Sequence, residues 1–145
     1  SEEELNFSKT IYHFHLDQMT LDSIPAMVID RQDILAYFQS HQPLVKISKD
    51  GTEKVRDPRK LPCYPSAIAV HPITGNYYIS SSKGKMLFVS NPKGELIHIE
   101  KLNKKIHPQP EGLAFDADGT LFVSNEGNGG NAKIYRFGYQ VLKNQ

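Results

Sequence analysis

The sequence predicts an all-β fold: about two to three four-stranded antiparallel sheets arranged as blades of a partial β-propeller, with one short inserted helix. Three observations carry this. The stretch from Pro110 to Phe137 reads as three short apolar strands joined by Asp116-Ala117-Asp118-Gly119 and by a longer loop at Asn128-Gly129-Gly130-Asn131. Both joints hold the turn residues that tolerate positive φ. The run from Pro65 to Ser81 repeats that order: Pro65 and Pro110 are 45 residues apart and Gly75 and Gly119 are 44 apart. A repeat of roughly 40–50 residues with four strands is the period of a propeller blade. Finally, the period-2 pattern gives way to a helical one only between Asp30 and Ser40.

Residues 1–8 are polar and acidic and are expected to fray. Lys9 to Asp17 alternates, with Tyr12, Phe14 and Leu16 on one side and Ile11, His13 and His15 on the other, which predicts a half-buried strand. Asp17 to Thr20 is a turn and Ile24 to Ile29 a second strand, so residues 1–29 form the outer strands of one blade. The histidine pair lies two apart on one face, a spacing that can hold a metal, but no third ligand is near in sequence. Asp30 caps the helix, and Ile34, Leu35 and Phe38 share its apolar face. Residues 30–64 continue as a helical insertion, a hairpin turning at Asp50-Gly51, and a connector rich in proline and charge.

Residues 65–102 are one full blade, with strands near 66–71, 76–81, 86–91 and 95–100 and turn glycines Gly75, Gly84 and Gly94. Residues 108–142 are the last blade. The expected core is Ile68, Val70, Tyr78, Leu113, Phe115, Phe122 and Ile134. Lys83-Gly84-Lys85 lacks the spacing and following helix of a phosphate loop, and Asp116 and Asp118 fit a hairpin turn better than a calcium loop. All four segments together make a single partial propeller over residues 1–145. Two to three blades do not close a ring, so the expected partners are the remaining blades, from an absent N-terminal half or a second copy.

Composition narrows the function classes. The chain is 39% hydrophobic and 23% charged, with a net charge of +1 and scattered basic residues. Nothing here builds the field that draws nucleic acid. No apolar run reaches the roughly 18 residues of a membrane helix, so no membrane insertion is expected. The lone Cys63 leaves no internal disulfide and is expected to be buried. Ser1-Glu2-Glu3-Glu4 looks like a trimmed or internal start, and Asn6-Phe7-Ser8 is an incidental sequon.

Four blocks carry a family resemblance: Pro65-Ser66-Ala67-Ile68-Ala69-Val70-His71-Pro72, Gly75 to Ser81, His107 to Phe115 with its QPEG core, and Ser124-Asn125-Glu126-Gly127. Together they resemble the C-terminal blades of the SdiA-regulated family, bacterial propellers of about six blades that are mostly extracytoplasmic. The resemblance implies a periplasmic or cell-envelope location, with a signal sequence outside this chain. It also implies a small-molecule or protein ligand in the central channel.

Glu111 sits where an inner strand begins, and Asn125 and Glu126 where the second strand of that sheet ends. Their oxygens suit calcium, which takes six to eight oxygen ligands, so other blades would have to complete the shell. No nucleophile elbow and no readable Ser-His-Asp set is present. The reading is therefore a non-catalytic binding propeller of the cell envelope. Its alternative is a calcium-dependent phosphoesterase or lactonase with its site in the channel, by analogy with calcium-dependent propeller hydrolases.

Overall fold

The computed structural model describes residues 8–127 and 129–139. The chain forms two compact units: residues up to 61 together with 93–97, and residues 62–92 together with those from 98 onward. The expectations about residues 1–7, Asn128 and a last edge running to Leu142 lie wholly or partly outside the described residues.

In the first unit, β1 (Ser8–Ile11) pairs antiparallel with β4 (Met27–Asp30), and β2 (Phe14–His15) pairs with β3 (Thr20–Leu21). The predicted hairpin is present, broken at Tyr12 and His13. Its tip is not half-buried as the alternation implied: Phe14, Leu16 and Leu21 are all exposed. Burial concentrates at the other end, on Met27 and Ile29.

Helix α1 (Arg31–Ser40) begins where the sequence placed it, because its cap is complete. Asp30 Oδ1 accepts from the amides of Gln32 and Asp33, and Asp33 Oδ2 accepts back from the Asp30 amide at 2.8 Å. This reciprocal box satisfies orphan amides of the first turn. The buried face is Arg31, Ile34 and Tyr37 rather than Ile34, Leu35 and Phe38. The cause is Arg31, whose guanidinium donates to the carbonyls of Leu61 at 2.8 Å and Pro58 at 3.1 Å. Pinning that arginine to the connector turns the i, i+3, i+6 row inward. Next come the exposed hairpin of β5 (Val45–Ile47) and β6 (Glu53–Val55) and a single 3₁₀ turn at Pro58–Lys60.

The second unit carries the repeat. β7 (Pro65–Val70), β8 (Tyr77–Ser81), β9 (Met86–Ser90) and β10 (Leu96–Lys101) form an antiparallel sheet in sequence order. β11 (Pro110–Phe115), β12 (Leu121–Asn125) and β13 (Lys133–Phe137) form a three-stranded sheet in the same order. The two sheets meet at their first strands, where Ser66 Oγ donates to the Pro110 carbonyl at 2.7 Å. Tyr78 lies edge-on to Phe115, with centroids 4.9 Å apart.

The repeat extends to an irregularity. Register shifts between Pro65 and Ala67 in the first sheet and between Pro110 and Gly112 in the second. Each bulge thus puts one residue, Ser66 or Glu111, outside the ladder at the same place in the blade pattern. Bulges re-aim side chains, and they gather near functional sites.

The core is smaller than the sequence implied. Ile79, Met86 and Phe88 have no exposed surface, and Val123 and Ile99 are nearly as buried. Ile68 and Val70 are 44% and 52% exposed, however, and Ile134 is 72% exposed. Ile68 shares a sheet face with Ile79 through direct pairing, but it sits on the sheet's edge strand. Ile134 pairs with Ser124, on the opposite face of its sheet from Val123. Apolar strand residues are buried only where a neighbour covers their face, and the described residues supply none over these three. Cys63 is buried, as expected.

Candidate functional site

The site grows from the end of β12. The adjacent Pro110–Asn125 pairing closes the ladder there. The Glu126 amide donates to the Gln109 carbonyl at 3.0 Å, carrying the chain out of the strand beside the loop that holds His107. Gln109 Nε2 donates to Glu126 Oε2, a charge-assisted bond that holds that carboxylate over the loop. Asn125 is thereby turned into the protein and is only 3% exposed.

His107 is buried next to it, 5% exposed. The Asn125 Nδ2 group faces His107 Nδ1 at 3.3 Å, so the imidazole accepts there as its Nε2–H tautomer. Tyr135 and Phe137 of β13 enclose the ring, with centroids 5.4 and 5.8 Å away. Burial pushes the His107 pKa below the usual histidine value. The imidazole is therefore neutral in the folded protein at pH 7 and takes up its proton more readily when unfolded. Stability from this residue is complete above the unfolded value of about 6.5 and is lost as pH falls through that value toward the lower folded pKa. The urea midpoint should fall between about pH 7.5 and pH 5, and His107→Gln should shrink that fall. An equal fall in the variant would mean that other groups cause it.

Asn125 Oδ1 has no partner. Asn125 lines a cleft of about 180 Å³. Glu126, Lys105, Lys133 and Tyr135 line it too, and Ile106, Pro108, Gly127, Gly130 and Asn131 complete the wall among the described residues. Glu126 and both lysines are exposed, so the cleft has a charged rim and a buried polar floor. A second, apolar pocket of about 290 Å³ has His107, Leu113, Val123 and Phe137 in its wall.

The repeat supplies an internal control. Ser81 pairs with Pro65 just as Asn125 pairs with Pro110. Ser81 is also fully buried, yet its hydroxyl accepts from the Tyr64 amide at 2.9 Å and donates to the Lys83 carbonyl at 2.8 Å. One blade closes this position with a satisfied hydroxyl. The other leaves a buried amide oxygen without a partner, on a residue that lines a cleft. Buried polar atoms without partners are rare because desolvation costs about 1–3 kcal/mol.

The three residues singled out for calcium are only partly brought together. Asn125 and Glu126 share the cleft, whereas Glu111 stands on the β11 bulge, exposed, and is not among the lining residues. Two oxygen-bearing side chains are fewer than the six to eight oxygens that calcium takes, and Lys105 and Lys133 line the same cleft. Among the described residues no group of three or more His, Cys, Asp and Glu side chains is placed to hold a metal. Asp116 serves its turn, as expected: its Oδ1 accepts from Thr120 at 2.8 Å and Asp118 at 3.1 Å, and the Thr120 backbone bond leads in lowering its pKa. The pair His13 and His15 has Asp22 between its rings, with His15 Nε2 at 2.9 Å from the carboxylate. His71 is 1% exposed, and its Nδ1 accepts from the amides of Ile73 and Thr74, again a turn role.

His107 is the residue that sequence reasoning missed at this site. In the sequence it stands only at the head of the QPEG block, and the partner that gives it meaning lies 18 residues away. The signal available was the repeat itself, in which Ser81 is replaced by an amide at Asn125.

Fold and site define a repeat-built all-β module with a polar cleft at the head of its last sheet. The SdiA-regulated family model matches residues 26–129, well over half of the chain, and the protein belongs to that family. No curated protein and no solved structure matches it.

Proposed function

We propose that this protein is a non-catalytic binding module of the bacterial cell envelope that holds a small polar ligand in the cleft floored by Asn125. The observation that carries the proposal is the unpaired, buried Asn125 Oδ1, set against its satisfied counterpart Ser81. A ligand donor would supply the missing partner and recover the desolvation cost. The cleft offers acceptors, cations and an aromatic wall but, among the described residues, no nucleophile with a base beside it. That favours binding over chemistry. The envelope location rests on the family resemblance alone. No helix among the described residues is long and apolar enough to cross a membrane.

The test is a ¹⁵N NMR titration with a panel of neutral sugars, sugar acids, amino acids and calcium, read at the Asn125 side-chain amide. At least one organic class should shift that amide together with the Glu126 and Lys133 backbone signals. If no member of the panel moves Asn125, the proposal fails. If calcium alone moves it, the metal-dependent alternative replaces it.

A further inference from the structure

Resting on that reading, we infer that the cleft selects a hydroxylated anion about one sugar ring in size, such as a sugar acid or sugar phosphate. One hydroxyl donates to Asn125 Oδ1, and the anionic group lies between Lys105 and Lys133.

The floor decides the first half. Asn125 Oδ1 is an uncharged acceptor, its own amide nitrogen faces His107, and that imidazole is held neutral by burial. An ammonium brought there would lose its water against a single neutral oxygen, and an unpaired buried charge costs far more than a buried hydroxyl. A hydroxyl needs one acceptor for its proton and loses little else. The orphaned oxygen therefore calls for a hydroxyl rather than a cation.

The rim decides the second half. Two lysines, Lys105 and Lys133, line the cleft against one carboxylate residue, Glu126. One oxygen of that carboxylate is already taken by Gln109. The remaining positive excess favours an anion, and exposed ammonium groups bind one without a large desolvation penalty. Glu126 faces the same space and accepts from a second hydroxyl, which a polyol supplies and a simple carboxylic acid does not. Tyr135 and Ile106 give an apolar flank suited to the face of a sugar ring. Size sets the limit: at about 180 Å³ the cleft is smaller than the roughly 300–1,000 Å³ of drug-sized pockets, which leaves room for one ring.

The experiment uses glucuronate, with glucose and glycine as comparisons, by calorimetry and the same Asn125 amide signal. Glucuronate should bind and shift Asn125. Glucose, which keeps the hydroxyls and lacks the charge, should bind about tenfold more weakly, and glucose 6-phosphate should bind like glucuronate. Asn125→Ala should weaken glucuronate at least tenfold. Lys105→Ala and Lys133→Ala, both at exposed positions, should each weaken glucuronate several-fold and weaken glucose less. Glycine binding as tightly as glucuronate overturns the inference in favour of an ammonium ligand, with the cleft still the site. Glucuronate affinity unmoved by all three substitutions overturns it too. Failure of glucuronate and glucose 6-phosphate while another panel member shifts Asn125 defeats this ligand class alone. Silence from the whole panel defeats the binding reading as well.

Discussion

Phe88→Ala is expected to destabilise the protein by about 3–5 kcal/mol, the range for truncating a buried phenylalanine. Phe88 has no exposed surface and stands on the third of the four strands, directly paired with Ile79, which is equally buried. Removing its ring strips dispersion contacts from the centre of the sheet and leaves a cavity that neighbouring strands, tied by their ladders, cannot close. A urea titration measures the loss. Phe115→Ala, at a half-buried ring packed on Tyr78 and His71, should cost less. If the order of the two variants is reversed, the core lies elsewhere than in the four-stranded sheet.

Gly84→Ala should cost about 2–4 kcal/mol, from two separable causes. Gly84 has φ +83°, a conformation that L side chains rarely adopt. An added Cβ would also collide with Pro62 Cγ, and the proline ring has little freedom to yield. Gly51 separates these causes, since it too has φ +83° but nothing within 4 Å of its position. Gly51→Ala should therefore show the backbone term alone, about 1–2 kcal/mol. Equal losses in the two variants would mean that the Pro62 contact relaxes freely.

What could be read from the sequence follows from how local each signal is. Turn glycines, the Asp30 cap and the Asp116 turn act through residues two to four positions away, and each appears where it was expected. The repeat was legible because Pro65 and Pro110 open matching strands with matching turns. Burial was less legible, because apolar character does not say whether anything covers a face. Ile68, Val70 and Ile134 carry the right side chains and remain exposed. Arg31 reversed the usual inference, since a buried arginine took the place that Leu35 and Phe38 were expected to fill. At the site, Asn125 and Glu126 were chosen for their oxygens. Their actual environment depends on His107, Gln109 and two lysines that meet only in the folded chain. Glu111 was grouped with them by its place in the repeat, and a one-residue bulge moved it out.

The account turns on Asn125 keeping a buried oxygen open for a ligand rather than for the fold. The direct measurement is the unliganded stability of Asn125→Leu, a change of similar volume that removes the orphaned acceptor along with the long 3.3 Å contact to His107. Removing an unsatisfied buried acceptor is favourable, and leaving His107 Nδ1 without its Asn125 partner offsets it. The account predicts a free energy of unfolding within about 1 kcal/mol of the parent, or above it, with ligand-induced stabilisation abolished. A loss of about 2–3 kcal/mol, the cost expected when a group in a satisfied buried network is removed, would contradict it and assign Asn125 to the fold.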